Sequence, residues 1–171
     1  FLTYADVGDA NDPKGQTGMA HLFEHMAFKG SKSIGTTDAQ SESTALEHVD
    51  AAFLALRDER RKGRNSDPAR LKQLEDALSK AQEEAGKYVT QNEFGEAIER
   101  AGGQGLNAGT SEDATNYFFS LPSNEMELWF YLESERFLDP VLREFYKEKN
   151  VVMEERRMSV ESAPVGKLVE E

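Results

Sequence analysis

Two of the chain's three histidines, His21 and His25, stand four residues apart in the string HLFEH, with Glu24 between them. On a helix, side chains four apart share one side, so the two imidazoles can converge on a single ion. Glu24 is one residue out of phase with that pair. It would lie beside the ion rather than on it, where a general base must stand to take a proton from water. The order H-x-x-E-H is the inverse of the commoner H-E-x-x-H arrangement. The plainer reading is an amphipathic helix that carries two exposed histidines. Met19, Leu22, Phe23 and Met26 argue against it, because they put the pair on an interior or cleft face.

A catalytic zinc takes three protein ligands and keeps one position open. The chain has no cysteine, and its remaining histidine, His48, falls on what reads as a solvated helical face. The third ligand is therefore expected to be a carboxylate. Near the C-terminal end, Phe145, Glu148, Val152, Glu155 and Ser159 follow one another at three- and four-residue steps. Two acids on an apolar stripe are costly to bury unless they meet a cation. Glu155 as ligand with Glu148 as its supporting partner is one reading; surface ion pairs with nearby arginines are the other.

These residues need a scaffold. Residues 1–8 read as a strand running into the turn-rich loop GDANDPKGQTG, after which Thr17 or Gly18 starts the histidine helix and Gly30 ends it. A second helix is expected over 36–62, with Leu46, Val49, Phe53 and Leu56 on one face. Asp67 and Pro68 open a third, in which Leu71, Leu78 and Ala85 alternate with Leu74, Ala81 and Tyr88 in a heptad pattern. Residues 40–91 thus read as a charged helical hairpin, inserted in a domain that covers 1–171. A short helix at EFGEAIERAGG leads to two strands in GLNAGTSEDATNYFFSLP. Helices follow at NEMELWFYLESERFL and over about 141–160, separated by Asp139-Pro140. Strands and helices are segregated, which predicts an α+β fold: a largely antiparallel sheet with helices on one face, plus the hairpin.

Composition narrows the function classes. Twenty lysines and arginines stand against 32 acids, for a net charge of −12. That balance disfavours a nucleic-acid partner, which needs a basic surface to meet phosphates. No apolar run is long enough to span a membrane. The apolar, strand-like opening and the ending in GKLVEE read as a chain truncated at both ends.

Three segments, GMAHLFEHMAFKGS, GGQGLNAGTSEDATNYFFSLP and EFYKEKNVVMEERRMSVE, resemble in content and order the pitrilysin and mitochondrial processing peptidase family, in its bacterial form with a charged helical insert. The resemblance implies a zinc metalloendopeptidase with one Zn2+ held by His21, His25 and Glu155. Glu24 would be the general base, and Glu148 the acid that supports the site. Asn107 and Ala108 match an edge strand that holds substrate main chain, with the substrate adding as a further strand near them and Thr110. Glu155 follows His25 by 130 positions, and without the 52 residues of the hairpin the separation is 78, close to the spacing usual in the family. The resemblance further implies peptide or unfolded-protein substrates and a second homologous half, on this chain or as a subunit, without which the fragment would be poorly active. It points to the bacterial periplasm or cell envelope. Two other readings compete: a non-catalytic structural or partner subunit of the same fold, and an acidic helical adaptor acting through the hairpin.

Overall fold

The computed structural model describes residues 1–158. The far end of the expected last helix, with Ser159, lies outside the described residues. The chain divides into two compact units, one of residues 1–34 together with the chain from Asn92 onward, the other of residues 35–91.

The first unit is α+β. Strands β1 (Leu2–Ala5), β2 (Gln104–Thr110) and β3 (Thr115–Ser120) form an antiparallel sheet in the order β1-β3-β2. Alternation along β3 decides which face is covered: Thr115, Tyr117 and Phe119 are buried, whereas Phe118 between them is 42% exposed. Helices α4 (Glu93–Arg100) and α5 (Met126–Leu138) cover the buried face, where Phe94, Ile98 and Leu132 close around Phe119. Helix α1 (Met19–Met26) approaches the same face at β2, and packs through Leu22 and Met26 on Val152 and Phe145 of α6 (Phe145–Arg156). The opposite face exposes Leu2 and Tyr4.

Two buried arginines organise this unit, and neither is visible in the apolar pattern. The guanidinium of Arg136 stacks among the rings of Phe28, Phe94 and Tyr117, with centroids 5.2, 4.4 and 4.6 Å away. Arg143 donates to the carbonyls of Lys29 (2.6 Å), Ile34 (2.9 Å) and Ser31. It thereby fixes the turn that leaves α1. Gly30 must be glycine there: its φ is +86°, and a Cβ would collide with the Ile34 carbonyl.

Arg143 also accounts for a boundary that differs from expectation. The last helix begins at Phe145 rather than near 141, because residues 141–144 form the turn that drives Arg143 inward. Glu144 then enters the helix with φ at +55°. The first helix is likewise shorter than expected, ending at Met26 before the turn to Gly30.

The second unit is a pair of helices, α2 (Ala39–Arg61) and α3 (Pro68–Gly86). Asp38 and Asp67 cap them by accepting from the amides of Gln40 and Ser41 and of Ala69 and Arg70. Helix α2 thus starts at its cap rather than at 36, since Thr36 pairs as a short bridge with Val89. Val49, Leu56, Leu74 and Ala85 are buried along the seam and the remaining expected heptad positions are half-buried. Glu59 closes the connection, accepting from the amide of Asp67 (3.0 Å) and pairing with Lys62 (2.6 Å). Nine basic and ten acidic residues fall within 40–91, so the hairpin is nearly neutral and the acidity of the chain lies elsewhere. No helix among the described residues is long and apolar enough to cross a membrane.

Candidate metal centre

Helix α1 brings His21 and His25 together. Its start is secured from a distance: Gly18 occupies the N-cap with φ +90° and offers no side chain, and Asp12 supplies the missing acceptor. The Asp12 carboxylate takes the amides of Gly18 (2.6 Å), Met19 (3.0 Å) and Ala20 (2.9 Å). That satisfies three of the donors a helix start leaves open, and places a negative charge at the positive end of the helix. Sequence spacing pointed to Thr17 or Gly18 because caps are normally local. Asp12 reaches back over a six-residue loop and leaves no local signature. Asp12→Ala should cost about 1–2 kcal/mol of stability, read as a lowered denaturant midpoint with an unchanged slope.

The imidazoles face one another, Nε2 to Nε2 at 3.1 Å. Glu155 Oε2, from α6, completes a triangle at 3.5 Å from His21 Nε2 and 3.6 Å from His25 Nε2. Two ligands about 2.1 Å from a tetrahedral ion stand about 3.4 Å apart, so all three edges have the size such a site requires. One donor atom from each of His21, His25 and Glu155 lies within 4.8 Å of the others. Two neutral nitrogens and one carboxylate oxygen match the donors that zinc accepts. The donor set fits the metal.

Glu148 stands one layer out. Its Oε2 lies 3.3 Å from His25 Nδ1, which favours the tautomer protonated at Nδ1 and leaves the Nε2 lone pair facing the triangle. Burial alone would raise the pKa of Glu148. The hydrogen bond and charge of Lys29, followed by those of His25, outweigh burial and hold it below the usual carboxylate value.

Glu24 is not in the triangle. Its Oε2 accepts from Thr110 Oγ1 at 2.5 Å, and Thr110 Oγ1 lies 3.2 Å from Thr115 Oγ1. The sheet therefore holds the carboxylate beside the donor set. Thr110, expected along a substrate strand, lies on β2 with its side chain on Glu24. Asn107 and Ala108 lie on β2, at an edge of the sheet among the described residues. The Ala108 amide is taken by Asn107 Oδ1 at 2.9 Å. Spacing alone also missed Lys29, 2.7 Å from Glu148; one lysine in a turn carries no periodic signal.

Comparison with known proteins places residues 3–59 and 74–171 in agreement with the family described as Insulinase (Peptidase family M16). The zinc protease PqqE of Helicobacter pylori is 26% identical over 164 residues, which is 95% of this chain and 24% of that protein. The crystal structure of a protease from Helicobacter pylori superposes with a TM-score of 0.60 and 24% identity, over 98% of this chain and 27% of its own. Pitrilysin superposes at 0.50 with 19% identity, over 92% and 11%. The chain spans about a quarter of the length of the curated relative it matches.

Proposed function

The chain belongs to the insulinase family of peptidases, family M16, and on that footing we propose that it carries the zinc site and general base of a metalloendopeptidase. The observation that carries the reading is the convergence of His21, His25 and Glu155 from two separate helices, with Glu24 held beside them and outside the triangle. The zinc protease among its relatives supports the choice of metal.

His21, His25 and Glu155 would hold Zn2+, a Lewis acid that acidifies water and polarises a carbonyl. Glu24 takes the proton from the attacking water and returns it to the departing amine. Thr110 donates to one oxygen of Glu24, which orients the carboxylate and leaves its other oxygen for the proton. Glu148 keeps His25 turned toward the ion.

Substrate would lie along β2 as an added strand. It would replace the Asn107 side chain on the Ala108 amide with a peptide carbonyl. Such binding engages main chain, so it favours extended or unfolded segments over particular sequences. A second homologous half would close over the bound peptide, in keeping with the fraction of its relative that the chain spans.

The test is peptide hydrolysis by the intact protein with an unstructured fluorogenic peptide. Chelation should remove turnover, and one equivalent of zinc should restore it. Turnover that survives complete removal of metal would overturn the proposal.

A further inference from the structure

Lys29 sits three residues past the end of α1, outside the donor set, yet its ammonium reaches into the first turn of α6. It lies 2.7 Å from Glu148 Oε1 and 2.9 Å from Glu144 Oε2. Glu148 turns its other oxygen, Oε2, to His25 Nδ1. Each oxygen of Glu148 is thus committed to a different partner, and a single line of contacts runs from Lys29 through Glu148 to His25. The line is sheltered: the side chains of Lys29, Glu148 and His25 are 21%, 14% and 23% exposed. Its origin is fixed as well, because Arg143 holds the Lys29 carbonyl at 2.6 Å.

We propose that Lys29 is a positioning residue of the metal centre: by holding Glu148 Oε1 it aims Oε2 at His25 Nδ1, and so keeps His25 Nε2 directed at the ion. The proposal rests on the zinc reading above. Its physical basis is charge in a sheltered place. Glu144 and Glu148 lie one helical turn apart, where like charges repel. Lys29 stands between them, and Lys147 meets Glu144 at 2.8 Å. Without the Lys29 ammonium, Glu148 relieves the repulsion by swinging toward water, which takes its Oε2 away from His25 Nδ1. A neutral residue that merely filled the space of Lys29 would not supply this.

The measurement is zinc affinity of the intact protein, by competition with a chromophoric chelator. The proteins are the parent, Lys29→Met, Glu144→Gln, Glu148→Ala and the Lys29→Met/Glu148→Ala double variant. Loss of a supporting contact costs about 10- to 100-fold in metal affinity. Lys29→Met should therefore bind about 10-fold more weakly and Glu148→Ala 10- to 100-fold more weakly. The double variant should match Glu148→Ala alone, because the lysine acts through that carboxylate. Glu144→Gln should bind like the parent, since Lys29 keeps its contact with Glu148. Additive losses in the double variant, or parental affinity in Lys29→Met, would overturn the positioning role. A loss in Glu144→Gln equal to that in Lys29→Met would also overturn it, by showing that the lysine only fastens the helices together. A parent that binds no zinc would bring down the zinc reading itself, and the role of Lys29 with it.

Discussion

Glu24→Gln should leave zinc bound at parental stoichiometry and lower kcat/KM for peptide hydrolysis by about 10²- to 10⁴-fold, the range attributable to one general base. The substitution is close to isosteric. The amide oxygen of glutamine can still accept from Thr110 Oγ1, so the side chain keeps its place against β2. What it loses is the capacity to take a proton. Because Glu24 stands outside the triangle of His21, His25 and Glu155, metal affinity should be almost unmoved. The two readouts separate the roles. Unchanged turnover would remove Glu24 as the base, and lost zinc would make it a ligand. Activity should be assayed on the intact protein, since the chain matches only part of its relative's length.

Glu155→Gln is expected to weaken zinc binding by at least about 100-fold, beyond the loss associated with a supporting contact. Its neighbour Glu154 is the control. Glu154 points away along the helix and lies 3.5 Å from Arg157, with its side chain 59% exposed. Glu154→Gln should bind zinc as the parent does. The comparison is sharp because the two acids are adjacent in the chain and differ by about 100° in phase around the helix. Equal losses in both variants would mean that α6 is disturbed as a whole. A selective loss at Glu155 would join the two helices, 130 positions apart in sequence, into one site.

The legibility of this site in the sequence divides along the range of the interactions. His21, Glu24 and His25 lie within one turn and a half of a single helix, so their relation follows from the helical period and needs no partner. The stripe that pairs Glu148 with Glu155 is periodic too, and α6 does present both acids toward α1. Spacing could not say whether that stripe would meet the histidines or the solvent. That depended on Val152 and Phe145 packing against Leu22 and Met26. The hairpin was readable for the same reason as α1, because heptad spacing and an Asp-Pro start are local signals.

Asp12, Lys29, Arg136 and Arg143 carried no such signal. Asp12 lies in a loop without periodicity, and Lys29, Arg136 and Arg143 fall in segments that read as helix, where a lysine or arginine ordinarily faces water. Their roles arise from groups remote in sequence: the open amides of α1, the carboxylates of α6, a box of three rings and the carbonyls of a turn. The starting point of α6 belongs with them. Residues 141–144 read as helix by pattern and instead turn, because burying Arg143 against three carbonyls outweighs one more turn of helix.

By itself, then, the sequence determined the chemistry available: two imidazoles and a carboxylate at helical spacing, no thiolate to compete, and further carboxylates on the last helix. It determined the α+β class as well, because periodicities of two and 3.6 residues are properties of each segment alone. The tertiary structure decided which carboxylate closes the site, what holds it there and where Glu24 is anchored. Those outcomes depend on distances between segments, which local spacing leaves open until the segments have packed.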